Sequence, residues 1–206
     1  MNKSITIGIV LLSGVLSTSL ANAVVINVYT DRTTWESALS GATISTETFS
    51  NPIAAADVIN LDNGIVSTAS PAGRTGTSYN RVSGGEYIAY NCLTICSFAP
   101  TEYDWALPSS VIAVGGDFVD ANSGGLELNI DALGFSGNIF SALGGGSGFY
   151  GIISDTSFNN IDFRCSSSCG DFWELDNFSS AVPEPGTFAL LGLGLAGLGF
   201  ARRKKA

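Results

Sequence analysis

The chain has 206 residues, with 18 acidic side chains, nine basic ones and no histidine. Without an imidazole there is no Ser-His-Asp or Cys-His catalysis, and the commonest metal ligand is missing. Residues 24–182 hold four arginines (Arg32, Arg74, Arg81, Arg164) against 17 acids, a net of −13, which excludes the basic footprint of a nucleic-acid binder.

Residues 1–23 read as a secretory signal peptide. Lys3 supplies the positive start, residues 5–16 the apolar run, and Ala21-Asn22-Ala23 the small-residue site, with cleavage before Val24. A short membrane helix is the alternative.

Residues 24–181 read as one all-β domain. The 25 glycines suit a turn-rich β protein. Residues 24–29 form the first predicted strand. A single helix is expected over 31–40: Thr33 and Glu36 have capping-box spacing, Trp35, Ala38 and Leu39 share a face, and Gly41 ends it. Residues 44–49 alternate as a strand. Residues 58–61 and 65–67 flank Asn63-Gly64, a hairpin signal. Further strands are expected at 86–90, 102–107, 111–120, 126–131, 148–154, 159–164 and 171–179. Gly115-Gly116 suggests a bulge. Many short strands at this spacing favour a sandwich or barrel.

Cys92, Cys96, Cys165 and Cys169 form two C-x₃-C pairs. Behind a signal peptide, disulfides are the default. Four cysteines allow three connectivities. Local pairs are expected, because Ser166-Ser167-Ser168 reads as a turn. A crossed pairing that closes a longer loop and a Cys₄ zinc site are the alternatives.

Residues 182–206 read as a sorting signal. Pro183-Glu184-Pro185-Gly186 precedes an apolar run at 188–201, then Arg202, Arg203, Lys204 and Lys205. Fourteen helical residues rise about 21 Å, short of the roughly 30 Å hydrocarbon core. The prolines stop a helix from running back into the domain, and the basic cluster holds the end on the cytoplasmic side. This order suits a tail held in a membrane, cut and discarded; a permanent anchor is the alternative. Gly192, Gly194 and Gly197 spell G-x-G-x-x-G, but the chain ends too soon for a dinucleotide fold.

This three-part tail resembles the PEP-CTERM sorting domain. The resemblance implies export by a Gram-negative bacterium, transient inner-membrane insertion and processing by an exosortase. It also implies association with extracellular polysaccharide and biofilm at the surface or in the matrix. Residues 111–185 are similar to the body of many such proteins, through Gly115-Gly116-Asp117-Phe118, residues 148–154, residues 158–163 and Leu175-Asp176-Asn177-Phe178. Those bodies look like jelly-roll, lectin-like sandwiches.

Three site chemistries are left for the domain. Glu102-Tyr103-Asp104 begins like the E-x-D-x-(x)-E run of lectin-fold glycoside hydrolases, but the third acid is missing: Ala106, Leu107 and Pro108 follow. Tyr103 and Trp105 point to one side of a strand, and with Trp173 they are candidate saccharide contacts, with core packing as the alternative. By analogy with lectin-like sandwiches, Glu47 and Asp176 are candidate ligands for a structural Ca²⁺, which takes oxygen donors. No other cofactor is expected. The reading is therefore a non-enzymatic exported protein, with a carbohydrate-binding module second and a glycosidase third.

Overall fold

The computed structural model describes residues 23–183, apart from 74–77, 93–99, 122–124 and 166–169. Residues 1–22 of the signal peptide, Ala21 among them, and the sorting residues Glu184, Pro185, Gly186 and Arg202 to Lys205, lie outside the described residues.

The described chain is mostly β, a single antiparallel network of eleven strands with two short helices. In chain order the strands are β1 (Ile26–Tyr29), β2 (Thr43–Glu47), β3 (Val58–Asn60), β4 (Val66–Ser70), β5 (Arg81–Ser83), β6 (Glu86–Cys92), β7 (Glu102–Val119), β8 (Leu126–Ile130), β9 (Phe135–Asn138), β10 (Gly148–Cys165) and β11 (Gly170–Val182). Helix α1 spans Arg32–Ala38 and α2 Ile139–Leu143.

The expected helix and hairpin are present, with local differences. The cap of α1 is Asp31, whose carboxylate accepts from the Thr34 amide at 2.8 Å, so the Thr33–Glu36 spacing does not set the helix start. Trp35 and Leu39 are buried and Ala38 is exposed. The Asn63-Gly64 turn joins β3 to β4, with Gly64 at φ +86°. Sequence reading missed β5, β9 and α2, which are three to five residues long; so few residues show no periodicity.

The expected strands at 102–107 and 111–120 are two halves of β7, and those at 148–154 and 159–164 are two halves of β10. Each strand carries surplus residues at a corner. Ala106 to Val111 on β7 faces only Asn160 to Phe158 on β10, and Ile153 to Phe158 on β10 faces only Ala113 to Val111 on β7. Surplus residues bend a strand, and Pro108 lies in the β7 surplus.

The bend is large. Tyr103 and Phe118 are fifteen positions apart on β7, roughly 50 Å if extended. Yet Phe163, the register partner of Tyr103, has its ring centroid 6.1 Å from that of Phe118. The network curls so that its inner surface closes on itself around an aromatic core. Trp105 packs on Tyr87 (4.9 Å), Phe163 (5.1 Å) and Phe178 (5.0 Å), and Phe163 packs on Trp173 (4.8 Å).

One section of the network has the order β1-β10-β7-β11-β2, with Asn27, Ile153, Ala113, Ala181 and Ile44 in one row. Helix α1 packs on the outer surface of its β1 and β10 strands. Trp35 lies 5.5 Å from Phe149, and the facing pair Gly115 and Gly151 leaves room for both rings. The bulge expected at Gly115-Gly116 lies instead on the neighbouring strand. β11 passes from Asp176 to Ser179 while β7 passes only from Asp117 to Gly115, and Asn177 takes φ +48°.

Candidate functional site

The three candidate saccharide aromatics are core residues. Tyr103, Trp105 and Trp173 are each 0% exposed, which corrects their reading as a stacking platform; large apolar rings gain most by leaving water. Their polar atoms point inward too. Trp173 Nε1 donates to Asn91 Oδ1 at 2.7 Å, and Tyr103 Oη donates to the Tyr90 carbonyl at 3.1 Å. Burial pushes the Tyr87 and Tyr103 phenols up from their ordinary value. Among the described residues, an aromatic contact that does reach the surface is Tyr79 with Tyr90, stacked at 5.3 Å and half-buried. These two residues are eleven positions apart, and no periodicity links them.

The two calcium candidates take protein partners. Glu47 is buried; Oε1 accepts from the Phe49 amide at 2.8 Å and Oε2 from the Asn63 amide at 3.0 Å. Asp176 accepts from the amide of Asn177 at 2.7 Å and from its side chain at 2.9 Å. Both carboxylates are thereby provided with donors from the chain itself. Among the described residues no group of three acidic or cysteine side chains converges as a metal site.

Of the cysteines, only the main chain of Cys92 and Cys165 is described. Cys92 pairs with Gly170, the residue after Cys169, and Cys165 pairs with Leu126. Cys96 and Cys169, and therefore the disulfide pairing, lie outside the described residues.

The acids at 102 and 104 lie on the outer face, where two polar rows cross five strands. One row is Thr68, Asp104, Asp162, Asn129 and Ser136; the next is Ser70, Glu102, Arg164, Glu127 and Asn138. Period-two alternation puts Tyr103 and Phe163 inside and these residues outside.

The acid that faces Asp104 is Asp162, 58 positions away. Arg164 holds Asp162 at 2.8 Å and Asp131 at 2.7 Å. Asp104 is pushed up to about 7, first by burial, then by its hydrogen bond to Asp162 and by the charges of Asp162 and Glu102. Two like charges directly opposite on a sheet repel, so the pair is stable when it holds one proton. A retaining glycosidase keeps its carboxyls about 5–5.5 Å apart around the scissile bond. Asp104 and Asp162 are direct register partners on neighbouring strands.

The last site is the junction with the tail. Val182 pairs with Thr43, and Ala181 is 0% exposed between Ile44 and Ala113. Pro183 is the next residue and is exposed. It borders a groove of 320 Å³ formed with Leu39, Ala42, Ile112 and Ile153. Strand directions alternate across β1-β10-β7-β11. The start of β1 and the end of β11 therefore leave the same end of the network, three strand spacings or about 14 Å apart. No helix among the described residues is long and apolar enough to cross a membrane.

Residues 181–205 match the PEP-CTERM protein-sorting motif. The motif thus begins inside β11, two residues before the exposed proline. It implies an exported, surface-associated protein that an exosortase processes. No curated protein and no solved structure matches the chain.

Proposed function

We propose that the mature chain is a non-enzymatic component of the bacterial surface or extracellular matrix. It is delivered by exosortase processing and associates with exopolysaccharide in biofilm. The cell is Gram-negative, and the tail is inserted in the inner membrane only until it is cut. The observation that carries this reading is the sorting motif joined to the body with no spacer, its first two residues being the end of β11. The curled network with its aromatic interior supports a jelly-roll, lectin-like body.

Pro183, Glu184 and Pro185 are the residues read by the processing enzyme, and the Arg202 to Lys205 cluster is the stop. Replacing Pro183 and Pro185 with alanine keeps the tail on, and the protein stays in the membrane fraction. Normal tail loss in that variant, read by intact mass, rules the reading out.

A carbohydrate-binding role is the second reading, favoured by the Tyr79–Tyr90 stack at the surface. Aromatic faces of this kind take sugar rings by stacking. The full chain pulled down with the cell's own polysaccharide loses retention in Tyr79→Ala if this is correct. Equal retention of variant and parent removes Tyr79 from binding.

A further inference from the structure

Among the described residues, strand β2 is an edge that carries none of the usual protections. It pairs with β11 on one side, and among the described residues no strand pairs with it on the other. Thr43, Ile44, Ser45 and Thr46 are all exposed, so neither face of the strand is covered there. Natural edges are blunted by lysine, proline, bulges or a covering segment. Residues 43–47 contain no lysine or proline, their register with β11 is unbroken, and four of the five are not glycine, alanine or acidic but Thr, Ile, Ser and Thr, three of them strand formers.

Charge does not oppose pairing at this edge. The body carries −13 over residues 24–182, so copies repel one another over most of their surface. The one charge on β2, Glu47, is turned inward and bound by the Phe49 and Asn63 amides. A second copy can therefore approach here without bringing like charges together. With a two-fold axis at Ser45, Ile44 faces Thr46 of the other copy and Thr43 faces Glu47. No carboxylate meets another, and the β1-β10-β7-β11-β2 section continues into its symmetry mate as one sheet.

We infer that β2 is the pairing edge for a second copy of this chain, joined antiparallel about a two-fold axis, and that removal of the sorting tail releases this pairing. The second part follows from strand direction and rests on the processing proposed above. β2 lies beside the end of β11, where the tail leaves. A two-fold axis that makes two β2 strands antiparallel points the two Pro183 exits in opposite directions. Two tails inserted in one bilayer must point the same way. Membrane-held copies are thus barred from the pairing, and cut copies are free to make it. The matrix component would assemble after release and not in the membrane where it is processed.

Ser45→Cys in the full chain tests this. Directly opposed strand residues have Cα atoms about 4.5–5.5 Å apart, within disulfide range. Mild oxidation followed by peptide mapping reads a cross-link between two copies at position 45, distinct from any that involves the native cysteines. We expect this cross-link in processed protein, at least tenfold less of it when Pro183→Ala and Pro185→Ala keep the tail on, and at least tenfold less in processed protein that also carries Ile44→Lys. Sedimentation of the processed parent should give a dimer, and Ile44→Lys a monomer with the parent's far-ultraviolet circular dichroism. A monomeric processed parent, a cross-link indifferent to Ile44→Lys, or equal cross-linking with and without the tail overturns the inference. A tail retained in the parent also overturns the release step, and intact mass shows that failure separately from any failure of β2 to pair.

Discussion

Arg32 reaches across 145 positions of sequence to the carbonyl of Asn177, to which Nη2 donates at 2.8 Å. That carbonyl belongs to the irregular stretch of β11, where one strand has more residues than its partner. The same nitrogen donates to Asp117 at 3.0 Å, Nη1 donates to Ser179 at 3.1 Å, and the guanidinium carbon lies 4.7 Å from the Phe149 ring centre. One forked cation thus ties the helix start to β7, β10 and β11.

Arg32→Met should lower stability by about 2 kcal/mol, the usual scale for hydrogen bonds to a charged group. Arg32→Lys should recover less than half of this, because a point charge cannot serve three acceptors spread over a planar fork. Urea unfolding followed by tryptophan fluorescence measures both. Lysine equal to arginine would mean that charge alone matters here.

Gly115 and Gly151 form the floor under α1. A Cβ on Gly115 would stand 2.6 Å from Phe149 Cζ and 3.1 Å from the Cα of Gly151. The backbone on one side cannot retreat, so Gly115→Ala should cost about 1–3 kcal/mol as overpacking. Pairing Gly115→Ala with Phe149→Leu should recover part of this loss; no recovery would place the strain in the strand instead of in the ring.

The Asp104–Asp162 pair gives stability a distinctive pH dependence. Asp104 rises from 3.8 to about 7 in the folded chain. A carboxyl raised in this way binds its proton more tightly when folded, so its contribution is complete below about pH 4 and is lost as pH climbs to about 7. Asp104→Asn keeps a donor for Asp162 and does not ionise. The melting temperature of the variant minus that of the parent should therefore increase from pH 4 to pH 8. A flat difference would show that the two carboxyls do not share a proton.

Much of this molecule can be read from its sequence, and the failures have physical causes. The tail is legible because prolines, an apolar run and a basic end follow one another within 25 residues. Helix α1 and the Asn63-Gly64 hairpin are legible because their signals are local. The joining of strands across Pro108 is not legible, because a proline in mid-segment reads as an end and only the partner strand shows that pairing resumes. The Asp104–Asp162 contact is hidden for a similar reason: it depends on register between residues 58 positions apart. Alternation put Tyr103 and Trp105 on one face, but could not say that this face is the inner one.

Glu47 is a local reporter for the calcium question. Its two oxygens hold the Phe49 and Asn63 amides, and Phe49 has φ +51°. Glu47→Ala should cost about 2–3 kcal/mol by leaving buried donors unpaired, and EDTA should not shift the melting temperature of the parent. A clear fall with EDTA would assign the carboxylate to a metal.

The sorting motif begins at the end of β11, a strand gripped by β6, β7 and β2. A pull on the tail runs along that strand and loads its flanking hydrogen bonds in shear, many at once, instead of peeling them one by one. Tension applied at Val182 is therefore borne by the interior of the fold.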